Sequence, residues 1–326
     1  MRNPLRTCLG LLTGASLLLG AATASAEPLR IGYSDWPGWV AWEVAIEKQW
    51  FKEEGVDVKF EWFDYVASMD AFAAGHLDGV GMTNGDTLVT GATGARGVMF
   101  LVNDYSNGND MVIGKPGIDS VKELKGKKVG VEVGFVSHLM LLDALKENGM
   151  SEADVELVNV PTNETPQVLA SGEVDAIVAW QPSSGMALKL VPGAKALYTS
   201  ADQPGLIYDV YVATPQSLSA RRDDWKKVMK VWYRVVDYLN DPATRDDAIT
   251  IMASRVGLSP AEYETFVDGT RLLTLEEAKS YMEKGEGFDS LYGSSQIADD
   301  FNVANKVYDT PQPVDGYIDT SLAEEL

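Results

Sequence analysis

The chain has 326 residues, 45% hydrophobic, 9% aromatic and 23% charged, with a single Cys, which excludes a disordered polymer, a collagen repeat and a disulfide framework. Its 27 basic and 48 acidic side chains give a formal charge of −21, which repels nucleic-acid phosphates and anionic membrane surfaces. The length fits about two domains, each with its own core.

Arg2 and Arg6 precede an apolar stretch from Leu9 to Leu19, and Ala24, Ser25 and Ala26 form an A-x-A-like exit before Glu27. That order predicts a secretory signal peptide over residues 1–26, too short to span a membrane, and an exported, periplasmic product. Cleavage removes Cys8 with Arg2 and Arg6 and takes the charge to −23. The mature chain then has no thiolate nucleophile and no Cys-ligated metal.

Leu29–Tyr33 alternates like a strand, and Pro37–Glu54 carries Val40, Val44 and Phe51 at helical spacing until Gly55 stops it. Val56–Trp62 is strand-like with Val56, Val58, Phe60 and Trp62 on one face; Ser68–Ala74 suits a short helix and Leu77–Thr83 a buried strand. A polar stretch, Asp104–Asp110, separates this β-α-β-α-β run from a second one. The second comprises a helical turn at Val121–Leu124, a strand at Lys128–Val131, a helix at Ser137–Asn148, a strand at Val155–Val160, a helix at Pro166–Ser171 and a strand at Ala176–Ala179. Each run predicts an α/β lobe with parallel strands and right-handed crossovers. After Thr214 the pattern turns helical: Trp225–Leu239 aligns Val228, Val231, Trp232, Val235 and Leu239, and Thr244–Ala253, Pro260–Val267 and Thr274–Lys284 follow.

Open α/β sheets bind ligands at the carboxyl ends of their strands. The corresponding loops, Ser34–Trp39, Phe63–Ser68, Thr83–Thr87, Asp104–Asp110, Glu132–His138, Thr162–Gln167, Trp180–Ser184 and Tyr208–Asp209, contain neither Lys nor Arg. They hold eight acids and six Trp or Tyr side chains, a composition that suits a small cation or a neutral polar amide. An oxyanion normally draws on Arg, Lys or backbone N–H groups; only backbone donors near Ser137 and Thr165 serve that alternative.

Asp35 and Glu132 each follow the first strand of a run and are expected to face each other across the cleft. Trp36 and Trp39 flank Pro37 and Gly38 in a loop; Trp180 and Gln181 end a strand; Tyr208 and Asp209 complete the set. Thr83, Asn84 and Asp86 read equally as an Asx turn or N-cap and as ligand contacts. Asp64, Asp104 and Glu164 read as helix caps or solvated loop residues, Trp42, Trp50 and Trp62 as core, and His76 as a surface residue. Two His without H-x-x-x-H spacing argue against a transition-metal site, and no nucleophile elbow, Walker loop or dinucleotide motif follows a strand. No cofactor is expected. Paired carboxylates are the one hint of an enzyme.

The segments "LRIGYSDWPGWVAWEVAIEKQWFKEEGVDVKF", "AAGHLDGVGMTNGD", "KGKKVGVEVGFVSHLMLLDALKENGM" and "LASGEVDAIVAWQP" together resemble the substrate-binding proteins of ABC importers in the nitrate/sulfonate/taurine class. Within it, "YSDWPGW", "FDYVASMDAF", "TNGD", "YSNGNDM" and "PTNETPQVLASGEVDAI" are similar to the urea-carboxylase-associated branch. The resemblance implies a two-lobed type II periplasmic binding protein: lobe 1 in residues 27–110, lobe 2 in 111–211, and a return to lobe 1 with a helical segment in 212–326. It further implies hinges at Asn109–Gly114 and Val210–Thr214, and a guanidine or urea-like ligand between Trp faces, hydrogen-bonded to Asp35 and Glu132. A membrane permease with a cytoplasmic ATPase is the implied partner, the binder itself being a monomer that catalyses nothing. The alternatives are a sulfonate, nitrate or pyrimidine-precursor binder of the same class, and a secreted enzyme acting on a small amine or amide.

Overall fold

The computed structural model describes residues 27–326, so the expected signal peptide lies outside the described residues. Eleven strands form two mixed sheets. The first contains β1 (Leu29–Tyr33), β2 (Val58–Trp62), β3 (Gly79–Thr83) and β4 (Val98–Ser106). The second contains β5 (Met111–Gly114), β6 (Lys128–Val131), β7 (Glu156–Asn159), β8 (Ala176–Ala179) and β9 (Lys195–Thr199). The chain then returns to the first sheet with β10 (Tyr208–Ala213) and β11 (Thr270–Leu272). The orders are β11-β4-β10-β3-β1-β2 and β7-β6-β8-β5-β9.

Both β-α-β-α-β runs form parallel ladders, β1 with β2 and β3, and β6 with β7 and β8. The remaining pairings are antiparallel: β10 runs between β3 and β4, and β5 between β8 and β9. β4 and β5 show no period-two alternation because they are buried on both faces: β4 opens on the apolar run Val98–Val102 and β5 is apolar from Met111 to Ile113. The polar stretch expected between the lobes begins inside β4, whose last residues are Asp104, Tyr105 and Ser106. The return crossing is displaced from its expected place as well. It occupies residues 200–207, before β10, because β10 must pair along its whole length with β3 and β4.

The helices after Thr214 pack on the first sheet. Helix Arg222–Asn240 buries the predicted stripe of Trp225, Val228, Val231, Trp232, Val235 and Leu239. Trp225 lies against Phe100 of β4, and Trp232 against Trp42, with ring centroids 5.0 and 4.8 Å apart. The single helix expected over Pro37–Glu54 is three short pieces, Pro37–Val40, Trp42–Glu47 and Trp50–Glu54. Gln49, at φ 58°, breaks the last two apart, and the break lets Trp42, Phe51 and Phe60 pack as one aromatic cluster. Trp42 and Trp50 are core as expected. Trp62 is not: it ends edge strand β2, is 36% exposed, and carries the Arg255 guanidinium 4.1 Å above its ring.

The two crossings lie side by side. The Ser106 and Ser200 hydroxyls are 2.6 Å apart, Gly108 N–H donates to Ser200 Oγ at 2.7 Å, and Ser184 Oγ–H donates to the Asn109 carbonyl at 3.0 Å.

Candidate functional site

Antiparallel β10 brings its first residues to the end of the sheet where β3 and β4 finish. Asp209 is thereby paired with Thr83 on one side and Asp104 on the other. Asp104 and Asp209 are 0% and 2% exposed. The Trp36 indole N–H donates to Asp104 Oδ1 at 3.0 Å, while Asp104 Oδ2 and Asp209 Oδ2 have no partner among the described residues. Gly38 makes the arrangement possible, since a Cβ there would stand 1.9 Å from Asp104 Oδ2. Burial pushes both carboxyls up, Asp209 furthest because it also faces the charges of Asp104, Asp110 and Asp86. Each such neighbour opposes ionisation of the other. The reading of Asp104 as a cap or solvated loop residue is overturned here: the residue lies within a buried strand, where no water reaches it.

Aromatic walls stand beside the acids. Trp39 stacks on Tyr65 with centroids 5.4 Å apart and planes at 21°, and Trp180 meets Tyr65 edge-on at 5.2 Å and 80°. Trp39 rests flat over Gly81, where any Cβ would come within 3.0 Å of the ring. Trp36, Trp39, Tyr65 and Trp180, with Thr83, Asp110 and Asp209, enclose an inner chamber whose volume of about 10 Å³ holds about one water molecule. The walls must part to admit a solute.

Asp86 bridges the sheets. Thr83 caps helix Asn84–Ala92 by accepting the Asp86 N–H at 3.0 Å, which turns the Asp86 side chain inward. Its Oδ2 accepts from Tyr65 Oη–H at 2.6 Å and from the Val136 N–H at 3.3 Å, at the start of helix Val136–Glu147. Burial pushes this carboxyl up to about 6.

Outside the chamber a cleft of about 440 Å³ is lined by Asp35, Glu132 and Trp180, together with Asp64, Asp70 and Glu164. Burial pushes Asp35 up to about 6, against the pull of the Trp180 indole. Burial with the charges of Asp86 and Asp35 pushes Glu132 to about 7, and burial pushes Asp110 to about 7. No Lys or Arg lines either space or offsets any of these six carboxyls among the described residues.

The expected site residues divide accordingly. Trp36, Trp39, Thr83, Trp180 and Asp209 line the inner chamber, and Asp35 and Glu132 the outer cleft. Asp86 lies behind Tyr65 as a bridge. Three others are spent on packing. Asn84 donates to Ser294 and Ser295 and accepts from Tyr208 N–H; Tyr208 donates from its hydroxyl to the Phe288 carbonyl; Gln181 accepts from Gly185 N–H. Tyr65 and Asp110 also line the chamber and were not among the expected site residues. They stand in strand-end loops, but nothing in the local sequence separates them from a helix start and a hinge residue.

Among the described residues no group of three or more His, Cys, Asp or Glu has a geometry that could hold a metal ion, and no helix is long and apolar enough to cross a membrane. Chemically, the arrangement offers charge and aromatic faces to a cation.

The alkanesulfonate-binding protein SsuA from Xanthomonas axonopodis pv. citri, solved bound to MOPS, matches with a TM-score of 0.76 at 19% identity, over 91% of this chain and 100% of that one. The periplasmic aliphatic sulphonate binding protein SsuA from Escherichia coli matches at 0.74 and 21%, over 92% and 100%. These likenesses show that the fold is that of the periplasmic binding proteins. In sequence, a protein of Brucella abortus (strain 2308) named as a binding protein is 27% identical over 317 residues, 96% of this chain and 97% of the relative. The taurine-binding periplasmic protein of Escherichia coli (strain K12) is 26% identical over 190 residues, 56% of this chain and 54% of that protein. The NMT1/THI5 like family matches residues 36–244, more than half the chain, and the chain belongs to that family.

Proposed function

We propose that this protein is the periplasmic solute-binding component of an ABC importer and that it captures a small nitrogen-rich solute, guanidinium or a urea-like relative, as in the urea-carboxylase-associated branch. The family and fold support the importer part, with a membrane permease and its cytoplasmic ATPase as partners. One observation carries the ligand class: Asp86, Asp104, Asp110 and Asp209 are buried around aromatic faces with no basic side chain to offset them. A planar cation between Trp36, Trp39 and Trp180 supplies the missing positive charge, donating in-plane N–H groups to carboxylates and offering its faces to the rings. Closure of two lobes about the crossings at residues 107–110 and 200–207 would seal it in. On this reading the second lobe runs from 111 to the second crossing. The protein binds and releases, without catalysis.

A second reading is an aminosulfonate such as taurine, the ligand for which one relative is named. It is favoured by Ser137 Oγ, buried and unpartnered at the start of helix Val136–Glu147, where a sulfonate would find donors. A thermal-shift screen of the purified protein with guanidinium, methylguanidine, urea, taurine and nitrate separates the two. Guanidinium should raise the melting temperature; a shift by taurine with none by guanidinium overturns the cation reading.

A further inference from the structure

Of the acids that the sequence put forward, Asp35 and Glu132 lie in the outer space, whereas Asp209, with an unpartnered carboxylate oxygen, lies further in. Asp209 Oδ2 is buried without a partner in the wall of the inner chamber, on the first sheet. Asp110, 3% exposed, forms part of the same wall at the threshold of the second sheet, anchored by its N–H to Ser106 Oγ at 3.3 Å. Behind Asp209, at the same level on β4, stands Asp104, whose Oδ1 is taken by Trp36 while its Oδ2 is free.

Building on the cation reading, we propose that Asp209 and Asp110 clamp the ligand's positive charge from opposite sheets, and that its entry expels the proton shared by Asp209 and Asp104. The binding step is then an exchange: one cation enters, one proton leaves to solvent, and the charge inside the closed chamber is unchanged. The titratable groups facing Asp209 are Asp104 on β4, Asp110 at the crossing and Asp86 on helix Asn84–Ala92, with the Tyr65 hydroxyl committed to Asp86. The residue by which helix Val136–Glu147 lines the chamber, Val136, carries no charge. All the charged groups are therefore acids, and burial holds their carboxyls above the ordinary range. Without a ligand, a proton is the one positive charge available to the pair. The device selects a charged solute over its neutral isostere, because urea cannot replace a proton.

The test is titration calorimetry of the whole protein with guanidinium chloride near neutral pH, in buffers of different ionisation enthalpy, together with a pH series and urea as the neutral control. The expected result is a heat that varies with buffer, corresponding to release of about one proton per ligand, and affinity that tightens by up to about tenfold per pH unit below the pair's titration. Urea should bind more weakly, with no buffer dependence. Asp209→Asn should abolish proton release and weaken guanidinium by about tenfold or more, whereas Asp35→Asn should keep the release. Should Asp209→Asn fail to fold, the wild-type buffer dependence decides alone. Guanidinium binding with buffer-independent heat overturns the exchange and leaves the cation reading standing. Binding of taurine but not guanidinium overturns the cation reading and the exchange with it.

Discussion

Asp86 Oδ2 accepts the Val136 N–H at 3.3 Å and so joins a helix on the first sheet to a helix on the second. The donor is a first-turn N–H with no partner inside its own helix, and an anion at that end is stabilised by the helix dipole. On the proposed closure the contact forms as the lobes meet and acts as a latch. Asp86→Ala removes it and strands the Tyr65 hydroxyl as well. Hydrogen bonds to charged groups contribute about 1.5–3 kcal/mol each, so ligand affinity should fall by roughly tenfold to a hundredfold, mainly through faster release. Stopped-flow dissociation and small-angle scattering check this; an unchanged off-rate and radius with ligand present would remove Asp86 from closure.

Gly38 is a sharper test of the inner chamber. A methyl group there would stand 1.9 Å from Asp104 Oδ2 and 2.9 Å from the Trp36 indole nitrogen, closer than real contacts allow. The variant must therefore move either the carboxylate or the indole and break the bond between them. Gly38→Ala should destabilise the protein by about 1–3 kcal/mol, the usual range for overpacking, and should lose ligand binding even in the folded fraction. Chemical denaturation gives the first quantity and calorimetry the second. Wild-type affinity in the folded variant would show that the Trp36–Asp104 pair has no bearing on the ligand.

The two parallel runs were legible because β1, β6 and β8 have their periodicity or apolar density written locally, and Lys128–Val131 and Ala176–Ala179 were placed to the residue. The strands missed were β4, β5, β9, β10 and β11, whose existence depends on partners distant in sequence. The site followed the same division. Trp36, Trp39 and Trp180 stand next to predicted strand ends, and that adjacency was enough to select them. Asp104 and Asp209 owe their juxtaposition to antiparallel β10, and no spacing in the sequence announces a register between residues so far apart. Symmetry between the runs selects Asp35 and Glu132, which line the outer cleft, whereas the inner chamber draws on the strand that breaks that symmetry.

The position of those two acids has a kinetic consequence. Asp35 and Glu132 line the open cleft and are only part-buried, in contrast to Asp209. A direct charge-assisted bond from either acid to the ligand would make Asp35→Asn or Glu132→Gln cost roughly tenfold in affinity. On the cation reading they would act from the outer cleft as a field that draws the solute inward, an effect that appears in the association rate and is screened by salt. Each substitution should slow association by a few fold at low ionic strength, with little change in dissociation, and the difference from wild type should vanish in high salt. Association rates measured across a salt series test this; a salt-independent rise in the off-rate would move these residues into the direct contact shell.

The buried acids also set the pH dependence of stability. Asp35 and Asp86 are raised to about 6, and Asp110 and Glu132 to about 7, above their values in an unfolded chain. In that interval the folded state binds more protons than the unfolded state, so stability falls as pH rises from about 4 toward 7. Glu262 works with the opposite sign. Its bonds to Lys189 and Ser259 hold it down at about 2, so its contribution is present above its unfolded value and is lost as pH falls through the folded one. The two windows barely overlap, and the ligand-free protein should melt at a higher temperature at pH 5 than at pH 8. Opening of the cleft relieves part of the repulsion at pH 8, so the fall should be accompanied by a larger radius. Millimolar guanidinium should restore the melting temperature at pH 8 and have a smaller effect at pH 5, because there the acids already hold protons. Calorimetric melts at the two pH values, with and without ligand, measure all four states. A ligand-free protein that grows more stable toward pH 8 would show that the closed, acid-lined chamber does not govern its folding equilibrium.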